Sequence, residues 1–562
     1  MKIRTLALLL LAAAGIAALP AACGVKITEK ATPTAAPTKA AQPSAAASAS
    51  PSSSGVATPS PSVTVTPSPT PSAEAAAARR AAASVAVKAI LPQFDVRAQD
   101  IFTSSKVPGA AVAVVAGDGA VYVRCFGIRE VGRPDKVDKD TVFQLASISK
   151  SFTTTMLAAL VSGREIAWDD PVEKYWPGFV LWDPWVSRHI TFRDLTAHRS
   201  GLPEYAGDEL QQFGYGRREI LRRLRYLQPA AGFRAAYAYQ NALPTAAAEG
   251  AAKATGESWE RLVRTRVLAP LGMDATVLSY RDYLDAPDRS GSHTLVNGTM
   301  QGGTPADDDV FAPAGGVSSS IAEMVPYLRM QLNGGALAGV RVAADKALAA
   351  THAATTVIGD DEAGPTAYAL GWETSDYLGR RVVQHGGDFS SGVSAMISMV
   401  PADGVGVVVL ANAFPEGHAL AAALTKTLYD LYIEGEPQED WLTKEQQLLQ
   451  DTLKGSILDP YEHLSEEPPA NAASPRDRAA YEGTFTNVYY GRVTVRRGSG
   501  SGLSVQLGRG ASLRYVPWDG DTWRQPQTDT AAVFSVRDGR ARSVRLMVLD
   551  FAGRNGLFVR RP

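Results

Sequence analysis

The sequence has few cysteines, almost no net charge and no histidine pattern that is typical of a metal site. Of its 562 residues only Cys23 and Cys125 are cysteines, which excludes a disulfide framework and a cysteine-rich zinc site. Lys and Arg number 56 against 57 Asp and Glu, so the formal net charge of -1 provides no general attraction to nucleic acid, and we expect no nucleic-acid partner. The seven histidines form no H-E-x-x-H pattern, which is the signature of many zinc hydrolases.

The first segment is typical of a secretion signal. A basic start precedes the apolar run Leu6–Ala18, which is shorter than the roughly 20 residues that a membrane-spanning helix needs. Small residues follow up to Cys23, so the sequence predicts a signal peptide over 1–22. Leu19–Gly24 resembles a bacterial lipoprotein cleavage site, although Pro20 departs from that pattern. The resemblance implies a lipidated Cys23 and an extracytoplasmic lipoprotein of the bacterial cell membrane; secretion with a free Cys23 and an uncleaved membrane anchor are the alternatives.

A tether and a helix precede the first folded domain. Residues 31–72 consist almost entirely of Ala, Pro, Ser and Thr, with Lys39 as the only charged residue. Such a composition cannot bury enough apolar surface to order the chain, so we expect a disordered tether over 23–72 that begins at the lipidated residue. The alanine-rich segment from Ser72 to Ile90 favours a helix that leads into the first domain.

The pattern over 73–436 predicts one large α+β domain. An apolar hairpin follows Val107, and strands return at Arg381–Gln384, Ser394–Met399 and Gly404–Ala411. Strands at both ends of a helical middle suggest that the two ends pair in one sheet. The predicted helices are Ser149–Val161, Arg217–Leu227, Ala242–Ala254 and Ser258–Val267. Cys125 lies in a predicted strand and is interpreted as a buried structural thiol.

A serine and a lysine mark the first of three candidate catalytic motifs. Ser147 and Lys150 are three residues apart at the start of an apolar helix, and this spacing places them on one face. A serine hydroxyl needs a base to become a nucleophile, and a desolvated lysine can be that base. The alternative is a helix-capping serine beside a lysine that extends to solvent.

Two further motifs follow in the chain. Tyr239-Gln240-Asn241 offers a phenol for proton transfer and an amide for a substrate carbonyl, or else a buried tyrosine and a capping asparagine. His385-Gly386-Gly387-Asp388 follows an apolar strand, where paired glycines leave room for a substrate, or else form a glycine bulge.

The order Ser-x-x-Lys, Tyr-x-Asn, His-x-Gly resembles that of the penicillin-recognising serine hydrolases, in particular the branch of class C β-lactamases, D-alanyl-D-alanine carboxypeptidases and esterases. The segments that support this resemblance are Val107–Gly109, His198–Pro203, Pro270–Met273, Ala314–Ser319 and Tyr368–Trp372. The resemblance implies a two-lobed domain, an antiparallel sheet with a helical lobe, and an active site in the cleft between the lobes.

The resemblance also implies a role for each motif residue. Ser147 would be acylated, with Lys150 and Tyr239 sharing the proton transfers. Asn241 would hold a substrate amide and His385 would line the far wall. The backbone amides of Ser147 and Asp388, beside Gly387, would hold the oxyanion. No metal or organic cofactor is needed, and the partner would be a small-molecule or peptide substrate, such as one derived from the cell wall.

Gly386 departs from the family pattern. β-Lactamases of this branch usually have Lys-Thr-Gly at the third motif and carboxypeptidases often have His-Thr-Gly, so a hydroxyl that could bind a substrate carboxylate is missing here. This favours an esterase or D-amino-acid peptidase over a β-lactamase; a penicillin-binding or peptidoglycan-sensing lipoprotein without turnover stays open. We expect His385 to be a cation only at mildly acidic pH, since histidine titrates near pH 6.5; the alternative is a neutral ring that positions Tyr239 or closes the cleft wall.

The C-terminal region reads as a separate module. Residues 437–474 form a predicted helical connector and linker, and 475–562 breaks into short strands separated by turns, which favours a small antiparallel barrel or sandwich. It resembles the lipocalin-like domain that often follows this hydrolase domain. Because it supplies no motif residue, we interpret it as a structural cover rather than a ligand-binding module, and expect its removal to lower stability more than the chemical step.

Overall fold

A computed structural model describes residues 72–117, 119–361, 364–455, 463–551 and 553–561. The predicted signal peptide, the predicted lipidation site Cys23 and the predicted tether before residue 72 lie outside these residues. Within the described ranges, no helix combines the length and the apolar character that crossing a membrane requires. The domain boundaries placed at residues 436 and 474 stay predictions.

An eight-stranded antiparallel sheet forms the centre of the large domain predicted over 73–436, in the order β2-β1-β14-β13-β12-β11-β10-β9. Its strands and those of three small sheets are β1 Gly109–Ala116, β2 Gly119–Gly127, β3 Val142–Gln144, β4 Ser292–Val296, β5 Thr299–Gly303, β6 Ser318–Ser320, β7 Ala336–Leu337, β8 Val340–Arg341, β9 Thr356–Asp361, β10 Gly364–Tyr368, β11 Glu373–Tyr377, β12 Arg380–Phe389, β13 Val393–Val400, β14 Val405–Ala411 and β15 Ala413–Phe414. Strand β1 pairs with β14, with Ala110 opposite Ala411. The prediction that both ends of the domain share one sheet is confirmed.

Helices cover both faces of this sheet. They are α1 Ala73–Ser105, α2 Ser149–Ser162, α3 Pro184–His189, α4 Phe192–Thr196, α5 Arg217–Arg223, α6 Ala242–Thr255, α7 Trp259–Val263, α8 Ala269–Leu271, α9 Tyr280–Asp285, α10 Ala312–Gly315, α11 Ile321–Leu332, α12 Asp345–His352, α13 Glu416–Ile433 and α14 Trp441–Gly455. Side chains of a strand alternate between faces. On β1, Val112 and Val114 therefore join a core with α1 and α13, whereas Ala113 and Val115 face the helical lobe. Helix α2 lies in that second core, and all its residues from Ser149 to Leu160 are buried.

The C-terminal region is a closed antiparallel barrel of eight strands, so the barrel alternative is confirmed. Its strands are β16 Gly483–Asn487, β17 Gly491–Arg497, β18 Leu503–Leu507, β19 Ser512–Asp519, β20 Thr522–Gln525, β21 Thr530–Arg537, β22 Arg540–Leu546 and β23 Leu557–Arg560. Strand β23 closes the barrel by pairing with β16. The barrel packs on the large domain that precedes it, where Phe213 stacks on Tyr490 with 5.5 Å between ring centroids.

Candidate active site

Ser147 lies in a tight turn at the start of helix α2. Residues Ala146–Ile148 form a 3-10 turn, in which Ala146 has a φ of 45°. That left-handed conformation is strained for a residue with a Cβ, and such strain is common where a backbone must present a reactive group. The side chain of Ser147 is only 1% exposed, so the nucleophile candidate sits inside the protein with its neighbours fixed by packing.

Lys150 lies beside Ser147 and has three oxygen neighbours. Its Nζ is 2.9 Å from Ser147 Oγ, 2.7 Å from Asn241 Oδ1 and 3.0 Å from the carbonyl oxygen of Ala314. The amide and carbonyl oxygens can only accept hydrogen bonds, so a neutral amine donates its two N–H groups to them and keeps its lone pair for the hydroxyl of Ser147. Complete burial lowers the pKa of Lys150 to about 7. The amine can therefore take a proton from Ser147 near neutral pH.

Tyr239 also contacts the nucleophile candidate. Its hydroxyl donates a hydrogen bond to Ser147 Oγ at 2.8 Å, and Lys150 Nζ lies 4.6 Å from the centre of its ring. Burial raises the pKa of Tyr239 well above its usual value of 10. The side chain is therefore a phenol and not a phenolate, which suits it to donate a proton rather than to withdraw one from Ser147.

Asn241 joins the lysine to a buried carboxyl group. Its Oδ1 accepts from Lys150, and its Nδ2 donates to Asp208 Oδ2 at 2.7 Å. Burial raises the pKa of Asp208 well above the usual range for a carboxyl group. The role of Asn241 in holding a substrate amide stays a prediction; in the structure its Oδ1 also orients the amine of Lys150.

A second buried acid, Asp308, lies near Lys150. The sequence predicts a role for neither Asp208 nor Asp308. Asp308 lies against helix α10, where a Cβ on Gly315 would be 2.0 Å from Asp308 Oδ2. Burial raises the pKa of Asp308 to about 7, opposed by the charge of Lys150. The sequence does place both acids close to segments that carry the family resemblance. Asp208 follows His198–Pro203, and Asp308 lies in a run of three aspartates shortly before Ala314.

Strand β12 brings the third motif against the turn Ala146–Ile148, which we call the nucleophile turn. A Cβ on Gly387 would lie 2.1 Å from the carbonyl oxygen of Leu145 and 3.0 Å from the amide nitrogen of Ser147. Glycine is therefore required at Gly387 for this close approach of two backbones. Gly386 has more space, since the nearest atom to a Cβ there would be Met396 Cε at 3.6 Å.

His385 is neutral in the structure, so the cation expected at mildly acidic pH is wrong. Its Nδ1 lies 2.5 Å from the carbonyl oxygen of Gly386, which can only accept, so Nδ1 carries the proton. The other ring nitrogen then accepts from the hydroxyl of Tyr368 at 2.9 Å. Burial lowers the pKa of His385 to about 3. The ring is buried and neutral, as the alternative that the sequence left open requires.

The carboxylate of Asp388 is bonded to helix α13 and not to the nucleophile turn. Its Oδ2 lies 2.8 Å from His418 Nδ1. Burial disfavours a charged His418, but the carboxylate of Asp388 raises the pKa of that histidine above its usual value. The predicted oxyanion role of Asp388 uses its backbone amide and does not depend on this carboxylate.

Aromatic rings surround Tyr239 on the side of the third motif. We call this group the tyrosine cluster; its members are Tyr205, Tyr237, Tyr239 and Tyr368, packed around His198. Ring centroids of Tyr205 and Tyr239, and of Tyr237 and Tyr368, are 5.6 Å apart. Tyr205, Tyr237 and the adjoining Ile358 are half-buried, so the cluster reaches the surface. His198 and Tyr368 belong to segments that carry the family resemblance, but their role was not predicted.

Neither a metal site nor a reactive thiol is added by the rest of the described chain. Within the described residues, no group of three or more His, Cys, Asp or Glu is placed to hold a metal ion. Cys125 on β2 is half-buried, and burial raises the pKa of its thiol to about 11. The thiol therefore stays protonated at neutral pH, as a structural cysteine should.

Comparison with known proteins places this geometry in a family. The beta-lactamase family profile matches residues 87–429, which is more than half of the chain. The unguisins hydrolase ungD' of Aspergillus campestris (strain IBT 28561) is 28% identical over 406 residues, which cover 69% of this chain and 74% of that protein. Penicillin-binding protein 4 of Amycolatopsis lactamdurans is 28% identical over 327 residues, covering 55% and 82%.

Two further comparisons agree with these matches. The D-alanyl-D-alanine-carboxypeptidase/endopeptidase AmpH of Escherichia coli (strain K12) is 28% identical over 243 residues, which cover 42% of this chain and 60% of that protein. The octameric penicillin-binding protein homologue from Pyrococcus abyssi has the same fold, with a TM-score of 0.55 at 20% identity over 83% of this chain and 99% of that one. The chain is a serine hydrolase of the beta-lactamase family.

Proposed function

We propose that the protein is an extracytoplasmic hydrolase that forms an acyl-enzyme at Ser147 and cleaves an uncharged ester or amide. The observation that carries this proposal is the position of Ser147 Oγ, 2.9 Å from the amine of Lys150 and 2.8 Å from the phenol of Tyr239. Relatives named as an unguisins hydrolase and as a carboxypeptidase/endopeptidase support hydrolysis.

The residues divide the reaction as follows. Neutral Lys150 takes the proton of Ser147 while Oγ bonds to the substrate carbonyl carbon, and the carbonyl π electrons move to oxygen. The amide of Ser147, beside Gly387, donates to that oxyanion. When the intermediate collapses, the carbon bond to the leaving group breaks, and the leaving group receives a proton from the Lys150 ammonium or from Tyr239, which that ammonium then reprotonates. Neutral Lys150 next takes a proton from water while the water oxygen attacks the acyl carbon; the ester bond to Ser147 Oγ breaks, and Oγ receives that proton from Lys150.

The surroundings of the third motif favour an uncharged substrate. His385 is neutral and Gly386 has no side chain, so neither offers a charge or a hydroxyl to a substrate carboxylate. The half-buried tyrosines of the tyrosine cluster instead offer apolar and aromatic surface next to Tyr239. Apolar ring surface contributes to binding through burial and stacking. An ester or amide whose leaving group is apolar therefore suits this site better than a substrate that ends in a carboxylate.

A matched pair of substrates tests the proposal. Purified protein is given the phenylacetyl esters of 3-hydroxybenzoate and of its methyl ester, which differ by one carboxylate on the leaving group. We expect a higher kcat/KM for the methyl ester, at a ratio that stays constant between pH 5.5 and 8 because His385 does not titrate there. Gly386→Thr adds a hydroxyl at a position with space for a Cβ, and should raise the relative rate of the anionic ester about 10- to 150-fold, since a hydrogen bond to a charged group contributes about 1.5–3 kcal/mol.

Ser147→Ala is the control for the nucleophile, with Ser162→Ala at the far end of helix α2 as the matched variant. Loss of hydrolysis and of fluorophosphonate labelling only in Ser147→Ala supports the proposal; labelling that persists contradicts it. A burst that stops after one turnover would identify a penicillin-binding or sensing protein, and efficient nitrocefin hydrolysis a β-lactamase.

The cellular location is part of the same proposal. The small residues before Cys23 and the resemblance to a lipoprotein cleavage site support a lipid anchor on the outer face of the bacterial cell membrane. A diacylglycerol provides two acyl chains, and two chains are what stable anchoring requires.

A further inference from the structure

A buried arginine of the C-terminal barrel reaches the catalytic region close to the active site. Arg554 lies in the loop between β22 and β23, and its side chain is 0% exposed. Its Nε donates to Glu209 Oε1 at 2.9 Å, and its Nη2 donates to the carbonyl oxygen of Glu204 at 2.8 Å. A fully buried ion pair that crosses between two modules fixes their relative position strongly, because removal of one partner leaves an unpaired buried charge.

A barrel tyrosine shares the same carboxylate. The hydroxyl of Tyr489 donates to Glu209 Oε1 at 2.7 Å, and burial raises the pKa of Tyr489 well above 10, so the hydroxyl stays a donor. Glu209 therefore receives hydrogen bonds from two different segments of the barrel.

Glu209 belongs to the 3-10 turn Asp208–Phe213, which connects the barrel to the catalytic amine. At its end, Gln212 and Phe213 accept backbone hydrogen bonds from Ala511 and Arg509 of the barrel, at 2.7 and 3.1 Å. At its start, Asp208 accepts the hydrogen bond of Asn241, and the same Asn241 holds Lys150 Nζ. The barrel thus fixes this turn at Glu209 and at its end near Phe213. The first residue of the same turn, Asp208, is bonded to Asn241 of the active site.

We propose that Arg554 is a positioning residue for catalysis: by holding Glu209 it fixes the turn that keeps Asp208, Asn241 and Lys150 aligned with Ser147. The barrel then completes the active site, whereas the sequence predicts only a structural cover. The inference rests on the proposed function, since it needs Lys150 to be the base. A displacement of about 1 Å at such a site is enough to slow a reaction by about a hundredfold.

The test compares Arg554→Met with Arg497→Met, a half-exposed arginine elsewhere on the barrel, in the full chain. Active sites are counted by fluorophosphonate titration, and the acylation rate constant per labelled site is measured in single turnovers with the neutral ester. We expect Arg554→Met to lower this rate constant at least tenfold with KM changed less than threefold, and Arg554→Lys, which keeps the cation, to recover most of the rate. Arg497→Met should behave like the unmutated protein.

A purely stabilising arginine would give a different result. Arg554→Met would then lower the melting temperature and the number of labelled sites, but each labelled site would acylate within twofold of the unmutated rate; that outcome overturns the proposal. If Arg554→Met does not fold, Tyr489→Phe decides: a threefold or larger loss of acylation rate supports the proposal and an unchanged rate overturns it. Activity that survives Ser147→Ala would instead refute the proposed function, and the inference with it, since the inference needs Lys150 to act on Ser147.

Discussion

At the scale of single residues, the protonation state of Lys150 decides whether the site can react. A protonated amine has three N–H groups and no lone pair, so it would donate to Ser147 Oγ and could not receive its proton. Neutral Lys150 satisfies the oxygens of Asn241 and Ala314 and still accepts from the hydroxyl. Burial is the largest cause of the lowered pKa, and the charges of Asp308 and Asp208 oppose it.

The first prediction concerns pH. Because the pKa of Lys150 is about 7, the acylation rate should be independent of pH above about pH 8. Well below pH 7 it should fall about tenfold per pH unit, since only the neutral amine can act as the base. Asp308→Asn removes a carboxylate that raises the pKa of Lys150, so its acid limb should move to lower pH. The measurement is kcat/KM for a neutral ester between pH 5 and 9. Lys150→Met should be inactive and the exposed Lys253→Met unchanged; equal rates at pH 5.5 and 7.5 in the unmutated protein would contradict the assignment of Lys150 as the base.

At the scale of elements, the approach of β12 to the nucleophile turn depends on one of two adjacent glycines. The position of Gly387 against Leu145 and Ser147 leaves no space for a Cβ, whereas Gly386 has 3.6 Å to its nearest neighbour. The strand and the turn must therefore separate when Gly387 gains a side chain.

The second prediction follows from this difference. Gly387→Ala should lower kcat/KM at least a hundredfold, because the contact distances of 2.1 and 3.0 Å force the two backbones apart. Gly386→Ala should stay within about threefold of the unmutated protein, since its new methyl group makes only ordinary van der Waals contact. Hydrolysis of the neutral ester by the two purified variants measures both. A Gly387→Ala protein with full activity would show that β12 does not line the reacting site.

Elements and motifs could be predicted from the sequence where the signal is local. Ser147 and Lys150 are close together in sequence at the start of the apolar helix α2. Strand β12 contains the apolar run that predicts it. Helix α5 ends at Arg223, earlier than the predicted Leu227, and Leu224–Tyr226 continue the segment as a 3-10 turn. The bonds of Asp208 to Asn241 and of Arg554 to Glu209 could not be predicted, since each joins residues far apart in sequence and a lone charge does not indicate its partner.

At the scale of the whole molecule, the remaining question is where the catalytic domain works. No structure is described before residue 72, so the proposed anchor rests on the sequence around Cys23. The two cysteines of the chain make the test simple, because the other one, Cys125, is half-buried on β2.

The third prediction is that Cys23→Ala releases the protein from the membrane fraction, whereas Cys125→Ala does not. Each buried CH₂ of an acyl chain contributes about 0.8 kcal/mol of membrane affinity, and the variant loses the residue that would carry the chains. Fractionation of cells followed by immunoblotting measures the distribution. If Cys23→Ala still sediments with membranes, the apolar run Leu6–Ala18 is itself the anchor.

The pairing of β1 with β14 has a consequence for the way this chain is made. Ala110 leaves the ribosome long before its partner Ala411, and the helical lobe is synthesised between them. Until β14 emerges, one edge of β1 has no neighbour, and an open edge of an apolar strand is a site for pairing with other chains. The catalytic sheet can therefore close only after almost the whole domain has been translated, whereas the eight strands of the barrel are consecutive in sequence and can form soon after synthesis. We therefore expect the slow step of folding to belong to the catalytic domain, because its sheet joins the two most distant segments of that domain.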